Sequence, residues 1–345
     1  GMNLAVRAPN WLGDSVMALP ALEALRQAMP GARLTVLARA SVADLYRLSG
    51  LCDDVIALPS PRSEGGWRAT LGAAWALRER RFDAGLLLPN SFESALTFRL
   101  AGIRDTWGYA RDGRRMLLRR AADPPRKGEI PRHEVFYYLE LLRRLAIVRA
   151  LPTDAVPRLR LSEETRNRGK EALAGAGLTG RVVAIAPGSA NSRAKQWAPA
   201  RFVAAARETA ATLRAEVAIF GTPQEQELAG SIEAELRAQG VHACSLAGKT
   251  SLRDFISAIA NVAVLITNDS GGMHVAYAAG VPTVAIFGPT IPEETGPLGA
   301  HTRIVREPVE CSPCMLKDCP IDHRCMTAIS PERVARMASE LVQLP

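Results

Sequence analysis

The residues best suited to chemistry lie in three short stretches. Asn268-Asp269-Ser270-Gly271-Gly272 follows an apolar run and precedes a helical pattern, so it reads as a strand-to-helix turn. The first N–H groups of a helix lack intrahelical partners, and the helix dipole favours anions there. Gly271 and Gly272 let a phosphate approach the backbone closely, so the turn reads as a cradle for phosphate or pyrophosphate. Asp269 is the odd member: its charge would repel a phosphate, so it is expected to cap the helix or meet a sugar hydroxyl. His274, one helical turn in, is read as a packing residue or, more sharply, as a ligand contact.

The second stretch, 186–197, is a long strand-end loop of small polar residues with one lysine. Ser189 and Ser192 can hydrogen-bond phosphate oxygens, and Lys195 can supply a point charge. The third stretch runs from Asn10 to Asp14, just after the first apolar run. Asp14 is either a helix N-cap or a general base, since strand-end loops are where a carboxylate can reach a substrate proton. A further strand-end turn carries Glu225, which can accept from ribose hydroxyls or simply complement a helix N-terminus.

Cys311, Cys314, Cys319 and Cys325 gather four of the six cysteines into one segment, 311–325, with His323 among them. A reducing compartment disfavours disulfides, so a structural zinc site is one reading and an iron–sulfur site a weaker one. Free or oxidisable thiols are the alternative. The spacing matches no zinc-ribbon pair, and no HExxH helix points to a catalytic zinc.

The elements that must position these residues are βα units. Apolar runs at 4–8, 34–38, 55–58 and 84–88 read as strands, and 15–28, 41–48, 67–80, 91–100 and 134–147 read as helices. A Pro-containing polar stretch at 149–159 reads as a linker. The pattern restarts with strands at 182–186, 217–220, 243–246, 262–267 and 283–287, and helices at 199–213, 224–239, 251–260, 271–279 and 331–342. Ser251 and Asp254 have capping-box spacing, with Asp in place of the usual Glu or Gln. The expected fold is therefore α/β: two doubly wound, Rossmann-like domains, 2–158 and 159–345, facing each other across a cleft. The length of 345 residues and the hydrophobic fraction of 48% fit two packed cores. No GxGxxG follows the first strand, which weakens a dehydrogenase reading.

The net charge is +8, and the segment 99–132 concentrates it: ten basic and four acidic residues give a local +6. Such a field suits an anionic partner, whereas a solvated arginine-rich surface is the bland alternative. No apolar run reaches membrane-spanning length, no secretory signal is visible, and Gly1 ahead of Met2 reads as an expression scar. A cytoplasmic protein is expected.

Taken in order, Asn10-Trp11-Leu12-Gly13-Asp14, Pro187-Gly188-Ser189, Lys195-Gln196-Trp197, the run 267–276, Phe287-Gly288-Pro289 and the tail from Cys311 resemble glycosyltransferase family 9. These are the ADP-heptose:lipopolysaccharide heptosyltransferases, and the similarity is greatest to the heptosyltransferase II type. The resemblance covers nearly the whole chain. It implies a GT-B fold with the acceptor on the N-terminal domain and ADP-heptose on the C-terminal one. It also implies inverting heptose transfer to heptosyl-Kdo2-lipid A with no cofactor required for catalysis.

By the same resemblance Asp14 is the base and Lys195 neutralises the leaving diphosphate. Ser189, Ser192, Glu225, Asp269, Ser270, Gly271, Gly272 and His274 would face the donor. Asn10, Arg62, Arg68, Arg114 and Arg115 are expected on the acceptor side, meeting Kdo carboxylates or lipid A phosphates. Peripheral contact with the cytoplasmic face of the inner membrane would follow. A sibling reading is heptosyltransferase I or another family 9 sugar transferase. A nucleotide-binding regulator or nucleic-acid binder is the non-enzyme alternative; the basic segment lacks a nucleic-acid motif or aromatic platform, so no nucleic acid is expected.

Overall fold

The computed structural model describes residues 1–59 and 66–343. The chain forms two compact units, Gly1–Arg160 and Leu161–Pro345. The boundary falls just after the stretch read as a linker. Arg160 stays with the first unit because its N–H donates to Ser49 O and its guanidinium pairs with Glu23.

The first unit runs β1 (Asn3–Arg7), α1 (Leu12–Met17), α2 (Leu19–Ala28), β2 (Arg33–Arg39), α3 (Ala40–Ser49), β3 (Asp54–Leu58), α4 (Gly66–Arg78), β4 (Ala84–Leu87), α5 (Phe92–Leu100), β5 (Asp105–Tyr109), β6 (Arg120–Ala122) and α6 (Val135–Arg144). Its strands form one parallel sheet in the order β3-β2-β1-β4-β5-β6. Leu4, Ala5, Leu34, Val36, Leu37 and Leu87 are wholly buried, as strands covered on both faces require.

The helix expected over 15–28 is two helices meeting at Ala18. Pro20 sits in the first turn of α2, and having no N–H it cannot continue the ladder of α1. β5 and β6 escape a reading by apolar runs. β5 is Asp-Thr-Trp-Gly-Tyr, whose Thr106, Trp107 and Tyr109 are buried despite their polarity, and β6 is only three residues long.

The second unit runs α7 (Glu163–Gly175), β7 (Val182–Ala186), α8 (Pro199–Leu213), β8 (Glu216–Ile219), α9 (Gln226–Ala238), β9 (Ala243–Ser245), α10 (Leu252–Ile259), β10 (Val264–Asn268), α11 (Gly271–Ala278), β11 (Thr283–Ile286), α12 (Pro292–Thr295), β12 (Thr302–Val305), α13 (Arg324–Thr327) and α14 (Pro331–Gln343). The parallel order is β12-β11-β10-β7-β8-β9. Val183, Ile185, Val217, Ile219, Val264, Ile266, Val284 and Ile286 build its core with Trp197 and Phe202. The Ser251–Asp254 capping box forms as expected.

Four elements of this unit are absent from the sequence-based expectation: α7, β12 and the four-residue helices α12 and α13. α7 is charged nearly all round and shows no apolar stripe; Ser162 caps it by accepting from Thr165 N at 3.1 Å. β12 is a four-residue edge strand.

Both sheets reverse winding once, between β1 and β4 in the first unit and between β7 and β10 in the second. Ligands of open α/β sheets bind beyond the strand C-termini at such switch points. The loops that follow β7 and β10 are 187–198 and Asp269–Ser270; those that follow β1 and β4 lead to Asp14 and to Ser91.

Candidate functional site

In the second unit one buried side chain joins the two polar loops. Asn268, the last residue of β10, is fully buried. Its Oδ1 accepts from Trp197 N at 3.0 Å, and its Nδ2 donates to Pro187 O at 2.8 Å and Gly188 O at 3.3 Å. The lysine loop is thereby fastened to the glycine turn. Ser270 is the N-cap of α11, its Oγ accepting from Met273 N at 3.4 Å. Gly271 and Gly272 follow as the first helical residues, with N–H groups that the helix itself does not use.

Asp269 is buried, 6% exposed, and its carboxylate is doubly held. Its Oδ2 accepts from Thr290 Oγ1 at 2.9 Å and lies 3.2 Å from Lys195 Nζ. It does not cap the helix, which Ser270 does; its protein partners are the lysine and Thr290. Asp269 thus fixes the ammonium beside the helix N-terminus. Lys195 keeps a 30% exposed side chain, so it is anchored while remaining reachable.

Glu225 closes a capping box with Thr222, its Oε2 accepting from Thr222 N at 2.9 Å. It lies directly under the lysine loop. A Cβ on Gly188 would stand 2.1 Å from the Glu225 carboxyl, so this close approach requires glycine. Two predicted donor residues take structural roles instead. Ser192 is buried and donates its hydroxyl proton to Lys317 O at 3.2 Å, so it braces the loop. His274 is buried with Nδ1 3.0 Å from Tyr277 Oη, the packing role of its two readings. Ser189 is partly exposed on the loop, and its carbonyl accepts from Gln196 Nε2 at 3.2 Å.

The cysteine-containing segment also braces these loops. Ala194 N donates to Lys317 O at 2.9 Å, His323 Nε2 lies 2.6 Å from Ala194 O, and Arg193 Nε donates to Asp318 Oδ1 at 2.8 Å. The loop after β11, which carries Thr290, is held as well: Met315 N donates to Pro289 O at 2.9 Å and Ser312 Oγ to Gly288 O at 2.5 Å. Among the described residues no group of three or more His, Cys, Asp or Glu is placed to hold a metal ion. Cys311 is exposed and Cys325 is buried against Gly288; burial, with Cys311, Cys314 and Cys319 nearby, raises the pKa of the Cys325 thiol.

In the first unit Asp14 lies in α1, whose N-cap is Trp11, so it is not the N-cap. Among the described residues no hydrogen bond or ion pair reaches its carboxylate. Burial raises its pKa above the usual aspartate value. A partly desolvated carboxylate with no fixed partner, at the C-terminal end of β1, has the properties of a general base. Asn10 is held nearby, its Oδ1 accepting from Arg7 Nη2 at 2.7 Å.

The arginines expected to meet the acceptor divide. Arg62 lies outside the described residues, and Arg68 is exposed on α4. Arg115 is exposed and pairs with Asp123 at 2.9 Å. Arg114 is a correction: it is wholly buried, donating to the carbonyls of Tyr109, Pro89 and Ser91 and to Ser94 Oγ. Burial lowers its pKa to about 10. It ties the β5–β6 connection to the β4–α5 loop and the first turn of α5, and its full burial leaves it no exposed surface to meet an acceptor. Missed by sequence reasoning were Arg7 and Arg39, at the ends of β1 and β2, because isolated arginines on apolar strands carry no motif. An apolar hollow of about 360 Å³ beside β3 and α4 holds one charged residue, Arg80, which is paired with Asp54 at 3.2 Å.

Two sheets in Rossmann strand order, each with polar loops at its switch point, define a GT-B-type α/β protein. Residues 72–324 match the description "Glycosyltransferase family 9 (heptosyltransferase)". The chain is 31% identical over 318 residues to lipopolysaccharide heptosyltransferase 2 of Salmonella typhimurium, with 88% of each chain covered. The solved Escherichia coli ADP-heptose lipopolysaccharide heptosyltransferase II superposes with a TM-score of 0.79 at 28% identity, covering 99% of this chain and 98% of that one. The fold is shared with E. coli heptosyltransferase WaaC, solved with ADP-2-deoxy-2-fluoro heptose, at a TM-score of 0.75 and 18% identity. The chain belongs to glycosyltransferase family 9.

Proposed function

We propose that this glycosyltransferase moves a heptose from ADP-heptose to the inner core of lipopolysaccharide, as the heptosyltransferase 2 relatives are named to do. Asp14 takes the proton from an acceptor hydroxyl of a heptosyl-Kdo2-lipid A-type core. That oxygen attacks C1 of the donor heptose, the C1–O bond to the diphosphate breaks with inversion, and ADP departs. Lys195, held by Asp269, and the N–H groups at the start of α11 receive the charge of the leaving diphosphate. Glu225, whose Oε2 is held by Thr222 N, would accept from the nucleoside ribose through Oε1. With a fixed ammonium at the diphosphate the reaction needs no divalent cation, so a chelator should leave the rate unchanged; strict dependence on added magnesium would refute this.

The observation that carries the reading is Asp14: a partly buried carboxylate with no hydrogen-bond or ion-pair partner among the described residues, in the motif whose aspartate the family resemblance makes the base. Asp14→Asn should bind ADP-heptose normally and lose transfer by about 100-fold or more. Near-native turnover would remove Asp14 from the reaction.

Access to a lipid-borne acceptor places the protein at the cytoplasmic face of the inner membrane. Among the described residues no helix is long and apolar enough to cross a membrane. Leu71 and Trp75 on α4 and Leu96 and Leu100 on α5 are exposed beside Arg68 and Arg99, a composition suited to an anionic interface. Trp75→Ala should weaken sedimentation with phosphatidylglycerol vesicles; unchanged sedimentation would argue against this face.

A further inference from the structure

The first unit contains a second polar site at its switch point that the mechanism above does not use. A cavity of about 40 Å³ lies at the C-terminal ends of β1 and β2 and the start of α5. Arg7, Asn10, Arg39, Glu93, Ser94 and Thr97 contribute to its wall. Arg7 is 9% exposed and already oriented, Nη1 donating to Ala8 O at 2.6 Å and Nη2 to Asn10 Oδ1. Arg39 Nε is buried and has no hydrogen-bond partner among the described residues. A buried guanidinium N–H left unpaired is costly and calls for an acceptor.

The electrostatics agree. Burial and the neighbouring Arg39 lower the Arg7 pKa to about 10, whereas Glu93 opposes them. Two guanidiniums and one exposed carboxylate leave a surplus positive charge. The volume suits a small oxyanion and excludes a whole sugar ring; one water needs roughly 10–15 Å³ on this measure. A planar carboxylate matches the donor fork of arginine.

We propose that the Arg7–Arg39 cavity is a carboxylate subsite, which seats the acid group of an acidic sugar in the acceptor. Arg39 Nε donates to one carboxylate oxygen, and Arg7, with Asn10, supplies the facing charge. The subsite would select acceptors carrying an acid sugar and fix their orientation relative to Asp14 on the same strand end. This rests on the acceptor being a sugar chain, as proposed above.

The test is ligand-observed NMR titration of the full chain with the methyl glycoside of Kdo, the same glycoside as its methyl ester, and inorganic phosphate. The free acid should bind about tenfold or more tightly than the ester or phosphate. Arg39→Gln should remove that advantage and leave the ester unchanged. Arg39→Lys keeps the charge without Nε and should recover only part of it. Equal binding of acid and ester, an unaffected Arg39→Gln, native affinity in Arg39→Lys, or Arg39-dependent binding of phosphate above that of the acid would each overturn the assignment. Arg39 lies at a strand end, and melting curves of both variants establish that they fold. The titration needs no catalysis, so a chain that transfers no heptose would defeat the proposed function while the subsite is still decided. If transfer is seen, acceptor KM should rise about tenfold in Arg39→Gln with donor KM unchanged.

Discussion

At the scale of single residues, Asp14 sets activity against stability. Its pKa is raised by burial, so the folded state binds its proton more tightly than the unfolded chain does. Stability from this group is therefore greatest below the unfolded aspartate pKa and falls as pH rises through the folded value. Above the folded pKa the protein carries a desolvated charge, and there Asp14→Asn should raise Tm while cutting transfer by about 100-fold or more. A lowered Tm would show that the carboxylate is a structural partner. Activity needs the ionised form, so kcat/KM should rise from acid pH along a limb set by a pKa above that of a free aspartate. Lys195 behaves differently. Lys195→Met should lower kcat and also destabilise the protein, by about 1–3 kcal/mol, since it leaves buried Asp269 with Thr290 alone. Lys195→Met/Asp269→Asn should regain stability without regaining turnover; additive losses would deny the pairing. Asp14 and Lys195 could be singled out in the sequence because each sits in a motif at a strand end. The role of Asp269 was not, because Thr290, its second partner, lies 21 residues on. Arg114 was misread because charge alone says nothing of burial.

At the scale of elements, the loops that follow β7 and β10 are joined as one clamp built on Asn268. Asn268→Ala removes an acceptor for Trp197 N and the donor to Pro187 O and Gly188 O at once. A loss of about 1–3 kcal/mol follows from leaving buried backbone groups unpaired, and donor KM should rise. Unchanged donor KM with lowered stability would mean that the loops keep their geometry without it. The βα alternation itself was readable from apolar runs, because parallel strands are buried on both faces. What stayed hidden were the elements without that signature: β5 with its polar but buried residues, three-residue β6, edge strand β12, α7 with its charged surface, and the four-residue helices α12 and α13. The cysteine segment shows the same limit. Its spacing suggested ligands; what it did not reveal is that Lys317 O and Asp318 Oδ1 accept from Ala194 N and Arg193 Nε of the lysine loop, and that His323 Nε2 meets Ala194 O. Distant backbone partners of this kind leave no periodic trace in a sequence.

At the scale of the molecule, the two units have separate cores: Val183, Phe202 and Ile266 belong to one cluster, Leu37, Leu87 and Phe98 to another. Each has its own switch point, where an open α/β sheet can bind a ligand. All the groups assigned to the diphosphate and ribose lie within Leu161–Pro345, and Asp14 with the Arg7–Arg39 cavity lies within Gly1–Arg160. The division of labour can be tested by hydrogen exchange on the whole chain. ADP should slow exchange in 187–197 and 268–278, where it takes up free N–H groups and stabilises the clamp. Residues 3–17 should keep their native rates, because no ADP contact is assigned there. An acid-sugar acceptor fragment should then slow exchange around Arg7 and Asn10. The expected contrast follows from local stability: a ligand protects amides whose opening it must release. ADP protection centred on the first unit would reverse the assignment of donor and acceptor. Protection confined to the second unit, followed by acceptor-dependent protection of the first, is the pattern that two independently built switch points require.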